Sequence, residues 1–386
     1  MRVLNVNVIL DPVFGGGTAE RTYQMSKALV RAGAECTILT TDLGLTDERV
    51  KSLEGVDVVA LPCVIKRFYV VRYSWARLKA LVSDVDVIHM MGHWSMLNVL
   101  AYFLARRTGT PYVICPAGEL SLFGRSRWIK QLFNLVIGNR IVRNATGYVA
   151  VTGDEVPAFQ RYGVNPEQIT VIANGINEAD FQSADEPLFA KQVGIDAEPF
   201  ILFMGRLNPI KGPDLLLKAF ITIADRFSDY HLVFAGPDGG MLAALQDEVN
   251  EAGLSHRVHF AGYVGGEDKA SAYREAAFLA IPSRQEAMSI VVLEAGITGT
   301  PVLITDQCGF DDVESAGGGI VVEANASGLE AGLRTLLEQP DALHAMGARL
   351  KDMVKQDYTW ELIGKRHLAL FQVMLSNSGA GQAYRS

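Results

Sequence analysis

Cysteine is scarce in this chain, whose 386 residues include four, Cys36, Cys63, Cys115 and Cys308. No two of them stand at the short spacing of zinc ligands, and their wide separation gives no disulfide framework. A disulfide-stapled secreted domain and a structural zinc site are therefore not expected. The simplest expectation is buried, reduced thiols in a cytosolic protein.

The chain also lacks a long uninterrupted apolar segment. Its most apolar window, residues 287–305, is broken by Glu294, Gly296, Gly299 and Pro301, so no transmembrane helix is expected. The N-terminus alternates apolar and polar residues and lacks the basic start and apolar core of a signal peptide. With 49% hydrophobic residues, the chain is predicted to be folded throughout, cytoplasmic, and divided into two domains by its length.

Acidic residues are missing from two stretches, 58–83 and 120–153, which carry cations among aromatic side chains. Residues 1–175 hold 19 Lys and Arg against 14 Asp and Glu (+5), and the remainder holds 16 against 29 (−13), which together give the −8 of the whole chain. The basic stretches suit an anionic membrane surface; the alternative is an ordinary solvated or acceptor-facing surface. The acidic second half disfavours nucleic acid as a partner.

Strand-like and helix-like segments alternate along nearly the whole chain. This pattern predicts α/β domains, each a doubly wound parallel sheet covered by helices, with ligands at the carboxyl ends of the strands. Turn-forming residues between 174 and 199 interrupt the alternation. The prediction is an N-terminal domain over 1–180, a linker over 181–199, a second domain over 200–355 and a C-terminal helix over 356–386.

Two glutamates eight residues apart mark the central motif, Glu286-Ala-Met-Ser-Ile-Val-Val-Leu-Glu294. The first is predicted in a loop after a strand, and the second lies two turns inside the following apolar helix. Amides near Ser289 and Ile290 would be unpaired at the helix start and would suit a phosphate. A buried Glu294 needs donors such as ligand hydroxyls or a cation; the structural alternative is a neighbouring arginine.

A cationic loop follows the first predicted strand of the second domain, with the sequence Gly-Arg-Leu-Asn-Pro-Ile-Lys-Gly over residues 205–212. Arg206 is a fork-shaped donor and Lys211 a point charge, and together they could clamp a diphosphate. The alternative is a pair of ordinary surface cations. A diphosphate site next to a carboxylate that binds hydroxyls describes a site for a nucleotide.

The first domain offers weaker signals. Glycines at 15–17 follow the first strand, where they allow close approach to a phosphate or merely a tight turn. His89 and His93 end a later strand on the ligand side, where they could contact an acceptor or phosphate, although a core histidine is equally expected at 89. Asp84-Val85-Asp86 spells a metal-binding pattern but begins a strand at the opposite end, so no metal is expected there.

The order and spacing of these motifs resemble those of the retaining glycosyltransferases of family 4, also called glycosyl transferases group 1, which have the GT-B architecture. The resemblance covers almost the whole chain and rests on five segments, which are Gly15-Gly16-Gly17-x-x-Glu20, Val171 to Ile176, Gly205-Arg206-x4-Lys211-Gly212, Glu286-x7-Glu294 and Gly299-x-Pro301-Val302. It implies two Rossmann-like domains facing across a cleft and the transfer of a sugar from a nucleotide-sugar with retention of anomeric configuration.

The resemblance also implies roles for individual residues. Arg206 and Lys211 would hold the diphosphate and stabilise the leaving group, and Glu286 would contact the donor sugar. On the donor side, Glu294 would bind ribose hydroxyls, the amides of Ser289 and Ile290 a phosphate, and the backbone of Tyr263 and Val264 the base, with Gly16 and Gly17 closing over the donor. Glu20, His93 and Glu119 are assigned to the acceptor side. Neither a metal nor a cofactor is expected.

The sequence departs from the family pattern at Ala117, where His or Arg is common, and at Met288 and Ser289, where Phe and Gly are common. Ala117 cannot bind a phosphate or acceptor, so that contact is either missing or supplied by His93 or Glu119. The expected function is transfer to a glycan or lipid-linked acceptor at the cytoplasmic face of a membrane, in polysaccharide or glycoconjugate synthesis. The alternatives are a sugar-nucleotide epimerase of the same shape and a non-catalytic nucleotide-sugar-binding protein.

Overall fold

The computed structural model describes residues 1–120, 127–182, 189–310 and 312–383. Its contacts divide the chain into two compact units. The first unit consists of Met1–Gly175 and Trp360–Ser386, and the second consists of Ile176–Thr359.

A parallel sheet forms the centre of the first unit. The strands found among its described residues are β1 (Arg2–Val6), β2 (Glu35–Thr41), β3 (Val56–Leu61), β4 (Cys63–Ile65), β5 (Val70–Val71), β6 (Val87–Met91), β7 (Tyr112–Cys115), β8 (Gly147–Ala150) and β9 (Ile169–Val171). The sheet order is β3-β2-β1-β6-β7-β8-β9, and every pairing is parallel. The remaining two strands, β4 and β5, pair with each other as an antiparallel hairpin.

Helices cover this sheet and connect its parallel strands. They are α1 (Pro12–Arg31), α2 (Asp47–Lys51), α3 (Trp75–Ser83), α4 (Met96–Thr108), α5 (Arg127–Phe133), α6 (Asn139–Arg143) and α7 (Val156–Gln160). A π-helical turn, Asn134–Gly138, joins α5 to α6. The sequence predicts one helix over 128–142, and the structure divides it at this turn. Short 3₁₀ turns lie at Lys66–Phe68, Gly153–Glu155 and Pro166–Gln168.

The second unit repeats the arrangement with six parallel strands. These strands are β10 (Phe200–Met204), β11 (His231–Ala235), β12 (Val258–Gly262), β13 (Phe278–Ile281), β14 (Val302–Thr305) and β15 (Gly319–Val322). Their order is β12-β11-β10-β13-β14-β15. The helices are α8 (Phe189–Gln192), α9 (Pro213–Ile223), α10 (Leu242–Glu251), α11 (Gly266–Glu275), α12 (Ile290–Thr298), α13 (Asp312–Ser315), α14 (Ala326–Leu337) and α15 (Pro340–Asp357), and a 3₁₀ turn lies at Glu178–Phe181.

The strands form because they are runs of apolar residues that can be buried on both faces. All five residues of β6 and all five of β10 are buried. In each unit the strand order reverses direction beside the first strand, between β1 and β6 and between β10 and β13. Open α/β sheets bind ligands at the carboxyl ends of strands at such a reversal. The predicted α/β class and parallel sheets are confirmed.

The last helix, α16 (Trp360–Ala383), packs on α1 of the first unit. A Cβ added at Gly364 would lie 2.9 Å from the Ala28 side chain, so glycine allows the two helices a close approach. Residues 176–182 and 189–199 belong to the second unit, whereas the sequence analysis treats 181–199 as a linker; positions 183–188 lie outside the described residues.

Helix α1 contains a kink at Gly16, whose backbone (φ 56°, ψ −141°) is not helical. The sequence predicts a helix start near Thr18, but a first turn already begins at Pro12 because Asp11 caps it through the Phe14 amide.

The four cysteines are unpaired thiols, and Cys63 alone is not fully buried. Among the described residues, no helix is long and apolar enough to cross a membrane.

Candidate functional site

The loop after β10, residues 205–212, runs against the loop after β13. Gly212 adopts a left-handed backbone (φ +67°), and a Cβ there would lie 2.1 Å from the Pro282 carbonyl oxygen. The Lys211 amide donates to the Asn208 side-chain oxygen at 3.0 Å. Glycine thus permits the close approach of the two loops, while Asn208 fixes the turn that carries Lys211.

Arg284 fastens these two loops together. Its guanidinium donates to both carboxylate oxygens of Asp214, at 2.9 and 2.7 Å, and to the Pro209 carbonyl at 2.6 Å. Its backbone amide donates to the Ile210 carbonyl at 2.7 Å. The bidentate geometry restricts both loops more than a single bond would. Arg284 therefore positions the residues that the sequence analysis assigns to the donor.

Lys211 and Glu286 form an ion pair where the two loops meet. The Lys211 ammonium lies 2.9 Å from Glu286 Oε2, and the Glu286 side chain is 10% exposed. The Ser283 and Ser289 hydroxyls donate to the other carboxylate oxygen, Ser289 at 3.3 Å. The structure therefore brings together a predicted phosphate ligand and the predicted donor-sugar contact.

Arg206 differs from Lys211 because its side chain is exposed. Within the described parts of the chain, its guanidinium forms no ion pair or hydrogen bond. It lies in the same loop as Lys211, directly after Gly205. An exposed guanidinium beside a lysine that already contacts a carboxylate leaves donors available for an anionic ligand.

The start of α12 offers fewer free amides than predicted. Ser289 is its N-cap residue, and the Ser289 amide donates to the Cys308 carbonyl at 3.0 Å. The expectation that this amide is unpaired is wrong, because the loop carrying Cys308 runs alongside it. Ile290 is the first helical residue, so its amide has no preceding helical carbonyl as acceptor. Of the two predicted phosphate-binding amides, only that of Ile290 is therefore available at this helix start.

Glu294 is buried inside α12 and is paired. Lys269 Nζ lies 2.6 Å from one carboxylate oxygen, and the Tyr273 hydroxyl donates to the other at 2.6 Å. The two donors stand four residues apart on one side of α11. Burial raises the pKa of Tyr273, and the Glu294 charge raises it further. The partner that sequence reasoning offered as an alternative was an arginine; the structure supplies a lysine and a tyrosine.

Tyr263 and Val264 follow the edge strand β12 and border a cavity of about 550 Å³. The Tyr263 ring is 80% exposed. His259 and Asp268 also line the cavity. Its volume falls in the range of small-molecule sites, and the predicted base-binding backbone lies at its wall.

In the first unit, Gly16 and Gly17 lie at the kink of α1. Nothing lies within 4 Å of a Cβ added at Gly16, so its left-handed backbone, and not crowding, is what favours glycine there. Glu20 is an ion-pair partner of Arg49 at 2.7 Å and accepts from Gln24 at 2.7 Å. The carboxylate of Glu20 is therefore engaged within the first unit, and its acceptor role stays a prediction, as do the donor roles of both glycines.

His93 and Glu119 are brought together at the ends of β6 and β7. Glu119 Oε2 accepts from the His93 amide at 2.6 Å and from the Trp94 amide at 3.4 Å. The Trp94 indole donates to the Glu119 carbonyl at 2.6 Å. Burial raises the pKa of Glu119 although both amide bonds oppose the change. Ala117, two residues earlier, adopts a left-handed backbone with φ 49°.

The His93 ring is held in one tautomer. Its Nε2 lies 3.0 Å from Asn134 Oδ1, and because an amide oxygen only accepts, Nε2 carries the proton. Burial lowers the pKa of His93 to about 4, against the effect of the Asn134 bond.

His89 is different, because it packs in the core beside His367 and Phe371. Of the two alternatives for His89, the core histidine is correct.

Asp84 and Asp86 are both engaged by Arg2. The Arg2 guanidinium bonds to Asp84, and the Arg2 amide donates to Asp86 at 2.7 Å. Among the described residues, no group of three His, Cys, Asp or Glu side chains is placed to hold a metal ion.

Comparison with known proteins decides the family. The family model for glycosyl transferases group 1 matches residues 185–353, and that for the glycosyl transferase 4-like domain matches residues 16–175. An uncharacterized glycosyltransferase of Methanocaldococcus jannaschii is 31% identical over 98% of this chain and 100% of its own length. The chain belongs to the group 1 glycosyltransferases.

Other members of the group are also similar over most of their length. A D-inositol 3-phosphate glycosyltransferase of Rhodococcus erythropolis is 30% identical over 93% of this chain and 88% of its own. The crystal structure of Anabaena Alr3699/HepE in complex with UDP matches with a TM-score of 0.79 and 17% identity, covering 97% of this chain and 100% of the other. The structural match confirms the predicted GT-B fold of this glycosyltransferase.

Sequence reasoning missed several residues that hold the site. The sequence analysis gave no role to five of them, which are Asp214, Lys269, Tyr273, Arg284 and Asn134. The spacing of Lys269 and Tyr273 signals one helix side, but not which carboxylate they meet. That partner depends on how α11 packs against α12.

Proposed function

We propose that this glycosyltransferase moves a sugar from a nucleotide-sugar to a glycan or lipid-linked acceptor, with retention of configuration and without a metal. The proposal rests on the Lys211–Glu286 ion pair. The bidentate contact of Arg284 with Asp214, here called the Arg284 clamp, fixes the two loops that carry this pair. A lysine held on a largely buried carboxylate next to the exposed Arg206 forms a cationic site at the carboxyl end of β10. Such a site suits an anionic leaving group.

The donor diphosphate would contact the Arg206 guanidinium, the Lys211 ammonium and the Ile290 amide. Negative charge grows on the diphosphate as it leaves, and preorganised cations and amides stabilise that charge. Because these groups supply the stabilisation, the proposed reaction needs no divalent cation. Glu286, already oriented by Ser283 and Ser289, would accept hydrogen bonds from hydroxyls of the donor sugar.

Glu294 would accept from the ribose hydroxyls, and the base would occupy the cavity bordered by Tyr263 and Val264. The ribose would compete with Lys269 for a carboxylate oxygen, since both oxygens of Glu294 already have donors. UDP is the first nucleotide to test, because the similar Anabaena protein was solved with UDP.

The acceptor would meet the first unit near His93 and Glu119. A phosphorylated polyol is the second candidate acceptor, since relatives at about 30% identity are D-inositol 3-phosphate glycosyltransferases. Ala117 supplies no charge for such a phosphate, which favours the glycan or lipid-linked acceptor. We place the reaction in the cytoplasm, at the inner surface of a membrane.

Thermal denaturation with UDP, GDP, ADP, CMP, TDP and NAD tests the donor site. A ligand at about a hundred times its Kd stabilises the folded state by about 2.7 kcal/mol. Each kcal/mol of stabilisation raises the melting temperature by roughly 2–4 °C. One nucleoside diphosphate should stabilise the protein, and Arg206→Ala should abolish the shift. Stabilisation by NAD alone would contradict the proposal.

The chemistry is tested by product analysis with the matching nucleotide-sugar. Proton NMR should show the same anomeric configuration in donor and product. Conversion of the donor sugar to an epimer without any acceptor would instead support the epimerase alternative. If the protein binds nucleotide-sugar but forms neither a transfer product nor an epimer of the donor sugar, it is a non-catalytic binding protein.

A further inference from the structure

A row of large apolar side chains lies on the outer surface of α5 and the π-helical turn. Trp128 is 68% exposed, Leu132 52%, Leu135 79% and Val136 60%. Their spacing of four, seven and eight residues places them on one side of a helix. We call these four residues the apolar stripe.

The opposite side of the same segment is anchored in the first unit. Ile141 and Val142 are fully buried, and Ile137 packs against the core. A Cβ added at Gly138 would lie 2.4 Å from Asn134 Oδ1 and 3.0 Å from His93 Nε2, so glycine allows the segment to come close to His93. The apolar stripe is thus presented outward by a helix whose other side is fixed.

The apolar stripe is flanked by cations. Arg127 precedes it, and Arg140 and Arg143 follow it, all three exposed. The sequence contains no acidic residue from 120 to 153. Arginines around exposed tryptophan and leucine are typical of helices that lie in the interface of an anionic bilayer, where the apolar side enters and the cations meet lipid phosphates.

A pocket of about 530 Å³ opens beside the apolar stripe. Leu135 belongs to both, and the pocket is also lined by Gln131, Asn139 and Tyr162. Asn134, at its wall, donates to the Tyr162 hydroxyl at 2.7 Å and bonds to the ring of His93. The pocket therefore adjoins the apolar stripe, and Asn134 in its wall contacts the ring of the predicted acceptor residue His93.

We propose that the apolar stripe docks on an anionic bilayer and that the adjoining pocket receives the polar head of a lipid-linked acceptor from the membrane surface. The acceptor part rests on the proposed function; the docking part does not. A second copy of the chain could also cover an apolar surface, but the excess of arginine on this surface would bring like charges together, whereas it matches anionic lipid.

Vesicle sedimentation tests the docking. The probes are vesicles of phosphatidylcholine alone and with about one-third phosphatidylglycerol, each at low and high salt. The protein should sediment with the anionic vesicles, and less at high salt. Val136→Asp should weaken this binding about tenfold or more, because a charge enters the apolar side. Val373→Asp is the matched control, since Val373 is also 60% exposed but lies on α16, and it should bind like the parent.

Quenching by brominated lipid identifies the surface. Trp128 should be quenched on anionic vesicles containing brominated phosphatidylcholine, so Trp128→Phe should remove most of the quenching while sedimentation largely persists. Trp75→Phe is the control, because Trp75 lies in the other basic stretch and is also exposed, at 42%. Quenching lost in Trp75→Phe and kept in Trp128→Phe would overturn the assignment to the apolar stripe.

The nucleotide thermal shift, measured on the same proteins, separates the two proposals. If the protein binds nucleotide but ignores anionic vesicles, the membrane inference fails and the proposed function stands. If it binds vesicles but no nucleotide, the proposed function and the acceptor pocket fail and the docking stands. A Val136→Asp variant that dissociates a dimer without any loss of vesicle binding would make the apolar stripe a self-association surface and overturn the inference.

Discussion

The two units share a sheet order but present different surfaces. Both sheets reverse direction beside their first strand. Of the described large apolar side chains that are exposed, those of the second unit are Ile210 and Tyr263, both in loops that we propose bind the donor, whereas the first unit exposes many more. The first unit holds 22 Lys and Arg against 15 Asp and Glu (+7), and the second holds 13 against 28 (−15). The common fold therefore does not identify the partner of either unit. The surface residues differ between the unit that we propose binds the donor and the unit that we propose meets a membrane and an acceptor.

The largest effect is expected from Lys211→Ala in the second unit. Loss of a cation that stabilises the departing diphosphate should lower the transfer rate about 10²–10³-fold. Lys218→Ala, on the exposed side of α9, is the matched control and should keep the parent rate. Initial rates of nucleotide release measure both. A Lys211→Ala rate near that of the parent would assign the leaving-group role elsewhere.

Acidification should destabilise the first unit more than the second. Burial lowers the pKa of His93 to about 4, that of His367 to about 3, and that of His89 well below its usual value. Since the unfolded histidines bind protons near pH 6.5 and the folded ones do not, stability falls as pH drops below about 6.5, by about 2 kcal/mol per histidine between about pH 7 and pH 5. Raised pKa values of Glu119 and Glu155 act in the opposite direction, because these carboxyls take up protons at a higher pH in the folded state than in the unfolded state.

The tryptophans allow this pH effect to be measured unit by unit. Trp75, Trp94, Trp128 and Trp360 all belong to the first unit. Urea unfolding followed by tryptophan fluorescence should therefore shift to lower urea at pH 5 more than unfolding followed by far-UV circular dichroism, which reports both units. His367→Leu should reduce the difference. Equal shifts by both probes would mean that the two units do not differ in their stability to acid.

A smaller effect is expected at Glu294. Lys269→Met removes one donor from a mostly buried carboxylate and should destabilise the free protein by about 1 kcal/mol or more. Because Lys269 is the partly exposed donor of the two and Tyr273 the buried one, the loss of Lys269 should free one Glu294 oxygen for the ribose hydroxyls, and the thermal shift produced by nucleotide should increase relative to the parent. Tyr273→Phe is the comparison, as it removes the other donor and should destabilise without that increase. A smaller shift in Lys269→Met would mean that Lys269 helps to bind the donor.

The smallest expected effect belongs to the Arg284 clamp. Arg284→Lys keeps the charge but loses the bidentate bond to Asp214, so the loop carrying Lys211 should be less well fixed. We expect the KM for the nucleotide-sugar to rise a few-fold with little change in melting temperature, because both side chains are partly exposed. Arg226→Lys, whose partner Glu338 lies outside the site, should leave KM unchanged.

The local sequence determined the fold class and the position of the site. Apolar runs specified the strands, and strands such as Val56–Leu61 and Tyr112–Cys115 have the predicted bounds. Glycines after the first strand of each unit, joined by Arg206 and Lys211 in the second unit only, indicated a phosphate site, because ligands bind at the carboxyl ends of parallel strands. The motif order was sufficient to indicate the family. These features depend on neighbours in the chain, which the sequence shows directly.

Tertiary structure decided which groups pair and which are free. The sequence predicts an unpaired backbone amide at Ser289, but the loop that carries Cys308 lies beside this amide and accepts its hydrogen bond. Lys269 and Tyr273 contact the Glu294 carboxylate only because α11 packs on α12. Leu135, 79% exposed, likewise lies in a π-helical turn that interrupts a segment predicted as one regular helix. Hydrogen bonds and exposure depend on residues far apart in the chain, so composition and spacing could name the chemistry but could not assign the partners.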